Sequence, residues 1–387
     1  MPWQGVSTVD LRVQFVIEFL SGLQTMSELA AAYDVSRKTG YKWVERYERA
    51  GPVGLLDRSR RPARSPTAVA PAVVAGVLAA RQRKPYWGAR KLRQWLITQD
   101  PRVPWPGRST IHTLLRRHGA VRQRSPRRHL APRGATGLRV AHAPNDVWTV
   151  DFKGSFRVTS GVRCYPLTLR DLASRYTLRC DAQAGEQLVP TRAHMARAFA
   201  TYGLPACIRS DNGHPFAGTG VARLSRLAVW WMRLGIQVER IAPGRPDQNG
   251  AHEQFHRVLK AQTTRPPAHS LPAQQRRFDR FRREYNEERP HEALDDAVPA
   301  SRYRPSPRPL PARLPPLEYP GHWEPRRVST TGTVSWRGRA VFLSEALAGE
   351  VVAWDEIDDG IWTIYFGTVP LARWLERGQI LEALRAQ

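Results

Sequence analysis

Three carboxylates and two histidines are the side chains here whose types and spacing could do chemistry. His252, Glu253 and His256 spell H-E-x-x-H within NGAHEQFHRVLK, residues 249–260. On a helix, two histidines four apart face the same way and can hold zinc, with the glutamate between them as the general base of a peptidase. Glu253 admits a second role, as the last of three carboxylates with Asp151 in WTVDFKG and Asp211 in IRSDNG. Cutting a phosphodiester needs a deprotonated attacking oxygen and stabilised charge on the leaving oxygen. Two magnesium ions about 4 Å apart supply both, and they favour carboxylates projecting from rigid elements into an open site.

The elements around these residues can aim them. Composition changes at Asn145, where NDVWTVDFKGSFRV alternates apolar and polar residues as a strand does, with Gly154 in or near a turn. Residues 163–183 predict a hairpin around Asp171 to Ser174. A helix near 186–202 follows, then GLPACIRSDNG as a short strand, a helix over much of 219–234, and IQVERIAPG as a further strand. Asp151 thus lies on the first strand, Asp211 at the end of a later one, and Glu253 on the helix that begins near Asn249. Strands first and then alternation with helices predict a mixed sheet flanked by helices. On the last helix Ala251, Phe255, Val258, Leu259 and Gln262 make the inward stripe, while Glu253, Arg257 and Lys260 share another face. A carboxylate with two cations beside it suits a phosphate backbone better than a peptide. His252 and His256 are left as surface or DNA-proximal groups. Asp171 sits in a turn, where aspartate serves the backbone, and Asp146 points to the opposite strand face from Asp151.

The 387 residues carry a formal net charge of +26, which points to a polyanionic partner. Arginine outnumbers lysine 54 to 6, a coding bias that explains the choice of cation but not the excess. Residues 1–145 hold 26 basic and 8 acidic side chains, so the N-terminal third is the electrostatic handle. There, residues 25–51 predict two short helices about a turn, capped by Ser27 and Ser36. Lys38, Lys42, Arg46 and Arg49 fall on one face of the second helix, as a helix-turn-helix recognition helix requires, with Val44 and Tyr47 turned to a core. A second helical unit follows a basic linker (56–66). AVAPAVVAGVLAA (68–80) is its buried helix, and 107–119 is a helix capped by Ser109 and stopped at Gly119. That helix has Ile111, Leu114, Leu115 and His118 inward, and Arg108, His112 and Arg116 on a face that could touch DNA. The apolar run of thirteen is too short to span a membrane, which needs roughly 20 residues. Cys164, Cys180 and Cys207 have no C-x-x-C spacing, and no signal pattern opens the chain, so a reduced, cytoplasmic protein is expected. Residues 122–140 predict a basic linker and 304–320 a stiff Pro-rich one. Several short strands over 326–374 have the outline of a small β-barrel.

Together WTVDFKG, IRSDNG, PGRPDQNGAHEQFHRVLK and YNEERPHEAL resemble the DDE integrase-core transposases of bacterial insertion sequences and, more distantly, retroviral integrases. The resemblance runs from about 145 to 305. It implies a ribonuclease-H-like core with Asp151, Asp211 and Glu253 as the acidic triad. Two Mg²⁺ ions would be held, with Mn²⁺ able to substitute; Asp151 would bridge both, Asp211 hold one and Glu253 the other. It further implies Arg257 and Lys260 against the element end, double-stranded DNA as partner at both element ends and target, and a homo-oligomer when two ends are synapsed. The expected reaction is a nick at the element's terminal repeat that frees a 3′-hydroxyl, which then attacks target DNA. Two departures stand out: 41 residues separate Asp211 from Glu253, a surplus assigned to 214–232 at no cost, and no His-His-Cys-Cys module precedes the core.

The expected fold class is therefore multidomain α/β. Helix-turn-helix units occupy 1–60 and 61–121, a basic linker 122–144, the ribonuclease-H-like core 145–303, a Pro-rich linker 304–325 and a β-barrel 326–387. Two rival readings stand beside it. One is a catalytically inactive, transposase-derived DNA-binding regulator. The other is the zinc peptidase, which would take Glu287 as third ligand across the break at Pro290; its longer motif fails at Leu259 and Gln262.

Overall fold

The computed structural model describes residues 7–58, 68–121, 137–218, 220–242 and 245–384. Residues 59–67 of the first basic linker and 122–136 of the second fall outside the described residues. The chain divides into two compact units, 1–68 and 69–387.

The first unit holds α1 (Thr8–Leu20), α2 (Met26–Ala32) and α3 (Arg37–Ala50). Thr25, not Ser27, caps α2, because a capping box needs Glu28 three residues on; Thr25 N donates to Glu28 Oε2 at 2.7 Å. Ser36 caps α3 as expected, accepting from Thr39 N at 3.1 Å. Phe15, Val16, Met26, Leu29, Val44 and Leu55 form the core. Gly40 lets α3 approach so closely that a Cβ there would lie 2.4 Å from Met26 Sδ.

The second unit opens with α4 (Pro71–Arg83), α5 (Ala89–Gln99) and α6 (Arg108–Arg117). Only Val77 and Ala80 of α4 are buried, so the apolar run is half a core helix rather than a sealed one. Gly107 occupies the cap position expected for Ser109, and His118 is exposed past the end of α6. This bundle is fastened to the sheet domain by ions and backbone. Lys84 Nζ stands 2.7 Å from Glu288 Oε2, Arg90 Nε is 2.9 Å from Asp296, and Lys91 Nζ donates to Pro290 O at 2.6 Å.

The sheet domain begins with β1 (Val147–Phe152), β2 (Phe156–Arg157), β3 (Arg163–Asp171) and β4 (Thr177–Gln183). It continues through α7 (Leu188–Tyr202), β5 (Cys207–Ser210), α8 (Arg226–Arg233), β6 (Gln237–Arg240), α9 (Gly250–Thr263) and α10 (Leu271–Arg283). β3 pairs antiparallel with β1 and β4, while β5 runs parallel to both β1 and β6. This is the mixed sheet expected of a ribonuclease-H-like core. Trp148, Val150 and Ile208 pack with Met195 and Phe199 of α7 and Leu227 and Trp231 of α8. A second cluster joins Cys164 and Cys180 to Phe255, Leu259, Phe278 and Phe281 of α9 and α10. The three cysteines are free and buried. Asn286, in the turn after α10, donates to Thr177 O and accepts from Thr177 N, at 2.9 and 2.8 Å, which pins that turn to β4.

The Pro-rich stretch is a strap rather than a spacer. Ser306 N donates to Tyr202 O at 2.8 Å, and Arg308 reaches the carbonyls of Pro205, Leu234 and Gly235. Beyond it lie β7 (Glu324–Arg327), β8 (Thr333–Trp336), β9 (Arg339–Phe342), β10 (Val351–Asp358), β11 (Ile361–Phe366), β12 (Val369–Leu375) and β13 (Ile380–Ala383). The expected barrel is present as an antiparallel five-stranded sheet, β13-β12-β11-β10-β7, beside a β8–β9 hairpin, and strand pairing among the described residues does not close it. Trp336 stacks on Trp354 with centroids 4.0 Å apart at its centre. Residues 214–232 are no neutral surplus: Leu224, Ala228 and Val229 belong to the core of this C-terminal sheet. No described helix is long and apolar enough to cross a membrane.

Candidate active site

Asp151 occupies the end of β1, where the strand leaves the core and its side chain becomes 18% exposed. The β1–β5 register pairs Val147 with Cys207, Trp148 with Ile208 and Thr149 with Arg209. β5 ends at Ser210, so Asp211 is the first residue past a strand that runs beside β1, and its charge reaches Asp151 closely enough to raise that carboxyl. Asp211 is turned by an Asp-Asn-Gly bend: its Oδ1 accepts from Gly213 N at 3.1 Å, and Asn212 Nδ2 donates to Ile241 O at 2.7 Å. Glu253 stands exposed in the first turn of α9. Burial, then the Asp211 carboxylate and, less strongly, that of Glu253 push the Asp151 carboxyl up to about 7, against a smaller opposing pull from Lys153. The three carboxylates therefore share one field. Among the described residues no Lys or Arg lies within ion-pair distance of Asp151.

The histidines are where the sequence reading is corrected. His252 is fully buried and His256 is 5% exposed; neither is a surface group. With Leu259 and Thr263 they form the stripe of α9 that faces the sheet, at steps of four, three and four. Both Nε2 atoms meet one hydroxyl, Thr168 Oγ1 on β3, at 2.6 and 2.7 Å. His252 Nδ1 lies 2.9 Å from Thr149 Oγ1. Burial holds His252 well below the ordinary histidine range and takes His256 down to about 3, so both rings are neutral. His256 Nδ1 faces Asp151 Oδ2 at 3.7 Å, and Asn249 Nδ2 approaches the same oxygen at 3.4 Å. Asp151, His252 and His256 are the described side chains grouped closely enough to hold a metal. A peptidase site does not follow, because both ring nitrogens of His252 are engaged by hydroxyls and Glu253 projects from a different face of the helix.

Arg170 is a further residue that the sequence reading passed over. Its buried guanidinium donates to Ala251 O at 2.9 Å and to Tyr285 Oη and Arg175 O at 3.2 Å, and it lies 4.3 Å over the Phe255 ring. The signals were present but faint: a cation inside an apolar strand, and a 4-3-4 step that the zinc motif obscured. Asp171 and Asp146 are occupied by backbone, as expected; Asp171 accepts from Asn145 N and Ser174 N, each at 2.7 Å.

Arg257 and Lys260 are exposed on the face of α9 that carries Glu253. Lys38, Lys42 and Arg49 are exposed on α3 of the other unit, whereas Arg46 is half-buried with its guanidinium 4.8 Å from the Trp43 ring. Arg108 and Arg116 are exposed on α6.

A mixed sheet of this order, with α7, α8, α9 and α10 packed on it, is a ribonuclease-H-like core. Residues 141–246 and 234–299 match the Integrase core domain family, 11–63 a Helix-turn-helix domain and 39–115 a Homeodomain-like domain. The chain thus carries an integrase core behind helix-turn-helix domains. It is 26% identical over 191 residues to an uncharacterised 31.7 kDa protein of insertion element IS407 from Burkholderia multivorans, covering 49% of this chain and 66% of that protein. A 39.2 kDa protein of insertion element IS476 from Xanthomonas euvesicatoria is 26% identical over 250 residues, covering 64% of this chain and 69% of that one. The chain thus spans just under two thirds of the first relative. Among solved structures it is similar to the HTLV-2 integrase catalytic core in complex with magnesium, at 15% identity and TM-score 0.34, over 43% of this chain and all of that one. A chain of the simian T-cell lymphotropic virus intasome in complex with PP2A regulatory subunit B56 gamma aligns over 80% of this chain and 99% of that one, at 16% identity and TM-score 0.38.

Proposed function

We propose that this protein is an insertion-sequence transposase that cuts and joins DNA through Asp151, Asp211 and Glu253. The observation that supports the reading is the Asp151 carboxyl near the end of β1, a strand paired with β5, pushed up to about 7 by burial first and then by the Asp211 carboxylate. Crowded carboxylates repel, and a divalent cation relieves that repulsion. The oxygen donors, and an Asp151 carboxyl that stays raised to about 7 despite the pull of Lys153, fit such an ion. When bound, a pair of Mg²⁺ or Mn²⁺ ions would supply an acidified water and neutralise charge on the leaving 3′-oxygen.

The protein's own part is positioning. Asp151 would hold its side of the site from β1 and Asp211 from the bend after β5, and Glu253 would close it from α9. Arg257 and Lys260 lay that helix against the phosphates of the element end. The α3 face of Lys38, Lys42 and Arg49 reads the terminal repeat, with Arg108 and Arg116 adding backbone contacts. Double-stranded DNA is the partner at both ends and at the target, and synapsis of two ends calls for more than one copy. A transposition assay in cells tests this, with a marker flanked by the element's own ends. Glu253→Gln should abolish movement while end binding persists. Wild-type protein that binds its ends and never moves them would leave the regulator reading standing instead.

A further inference from the structure

We propose that His256 is a nitrogen ligand to the cation held by Asp151, so that the site prefers Mn²⁺ to Mg²⁺. This rests on the reading above that Asp151 binds a divalent ion.

The geometry turns on a single hydrogen. Thr168 Oγ1 lies 3.0 Å from the carbonyl oxygen of Asp151, which can only accept, so the one hydroxyl hydrogen of Thr168 is committed there. Both imidazole Nε2 atoms at 2.6 and 2.7 Å must then donate to the two lone pairs of that oxygen. Each neutral ring consequently carries a bare Nδ1. His252 spends its Nδ1 accepting from Thr149 Oγ1. His256 Nδ1 lies 3.7 Å from Asp151 Oδ2, which is a second acceptor once that carboxyl ionises, as holding a cation requires.

Two facing acceptors want a cation between them. With bonds of about 2.1 Å, a nitrogen and an oxygen on one metal stand roughly 3.0 Å apart at right angles and roughly 3.4 Å apart tetrahedrally. From 3.7 Å the gap would close by about 0.7 Å around an octahedral ion and about 0.3 Å around a tetrahedral one, and among the described residues the other hydrogen bond to Asp151 Oδ2 is a long 3.4 Å contact from Asn249. A metal-ligating histidine commonly donates its other N–H to a fixed acceptor, and Thr168 is that acceptor. The same hydroxyl grips the backbone of Asp151, so one side chain aligns both ligands. An imidazole moves preference away from Mg²⁺, which favours oxygen, toward the transition metals.

The test uses full-length, tag-free protein and Mn²⁺ as probe. Pulsed EPR of the bound ion should show ¹⁴N modulation in wild type. In His256→Leu the modulation should vanish and Mn²⁺ affinity fall on the order of tenfold, with Mg²⁺ affinity changing less. Asp151-dependent Mn²⁺ binding without nitrogen modulation would overturn the inference and leave the transposase reading intact. If Mn²⁺ binds no better to wild type than to Asp151→Asn, both fall together. The wild-type spectrum decides even where the leucine variant fails to fold.

Discussion

Arg170 donates from Nη1 to the carbonyl oxygen of Ala251 at 2.9 Å, tying β3 to the first turn of α9 two residues before Glu253. Among the described residues the buried guanidinium has no carboxylate within ion-pair distance, so removing it recovers desolvation while losing several hydrogen bonds. The two nearly offset. Arg170→Leu is expected to lose only about 1–2 kcal/mol in urea unfolding, yet to slow strand transfer at least tenfold by loosening the turn that carries Glu253. An unchanged single-turnover rate would remove Arg170 from the positioning role.

Asp151 makes metal-free stability depend on pH with an unusual sign. Unfolded, it loses its proton near 3.8; folded, it keeps it to about 7. Between those values the native state binds more protons, so stability falls as pH rises, and the cost is complete above 7. Asp151→Asn should therefore melt higher than wild type at pH 8, by on the order of a few kcal/mol, and the gain should disappear at pH 4. Equal melting at pH 8 in chelator would mean the carboxylate is not strained.

His256 acts in the opposite direction. Its unfolded ring takes a proton near 6.5, whereas the buried ring resists until about 3, and His252 is depressed likewise. Stability contributed by these neutral rings is whole above 6.5 and drains away as pH falls toward 3. Two depressed histidines outweigh one raised aspartate, so acid should destabilise the sheet domain overall. His256→Gln should flatten the slope between pH 6 and 4 in denaturant titrations, and a slope identical to wild type would contradict this.

On α3 the basic residues are not equivalent. Lys38 and Arg49 are free to meet phosphate, while Arg46 leans on Trp43. Lys38→Ala and Arg49→Ala should each lower the slope of log affinity against log salt by about 1. Arg46→Ala should instead reduce the melting temperature of this unit. Reversal of those two phenotypes in end-binding and melting measurements would show the recognition face to be rotated.

Much of this was legible before any coordinates. The strand that carries Asp151, the hairpin at Asp171 and the capping serine at Ser36 follow from local rules and appear where expected, although β1 buries Val147 to Val150 in a row instead of alternating. The burial of His252 and His256 was not legible, because whether a polar helix face meets water or a sheet depends on what the sheet offers. Here it offers Thr149 and Thr168, 103 and 88 residues away in sequence from the histidines they meet. Barrel closure was similarly beyond reach, since short strands divided by turns suit an open sheet as well as a shut one. The cap at Thr25 could have been found from Glu28 three residues later.

The residues between Asp211 and Glu253 lend Leu224, Ala228 and Val229 to the C-terminal sheet, and a Cβ on Gly220 would meet Ser344 at 2.6 Å. That docking limits how the gene can be trimmed. A fragment ending at the Pro-rich strap would turn an oily patch of α8 out to water and clump during expression. Crystallographers seeking the isolated core would do better to keep residues 321–384 than to solubilise the remnant by mutation.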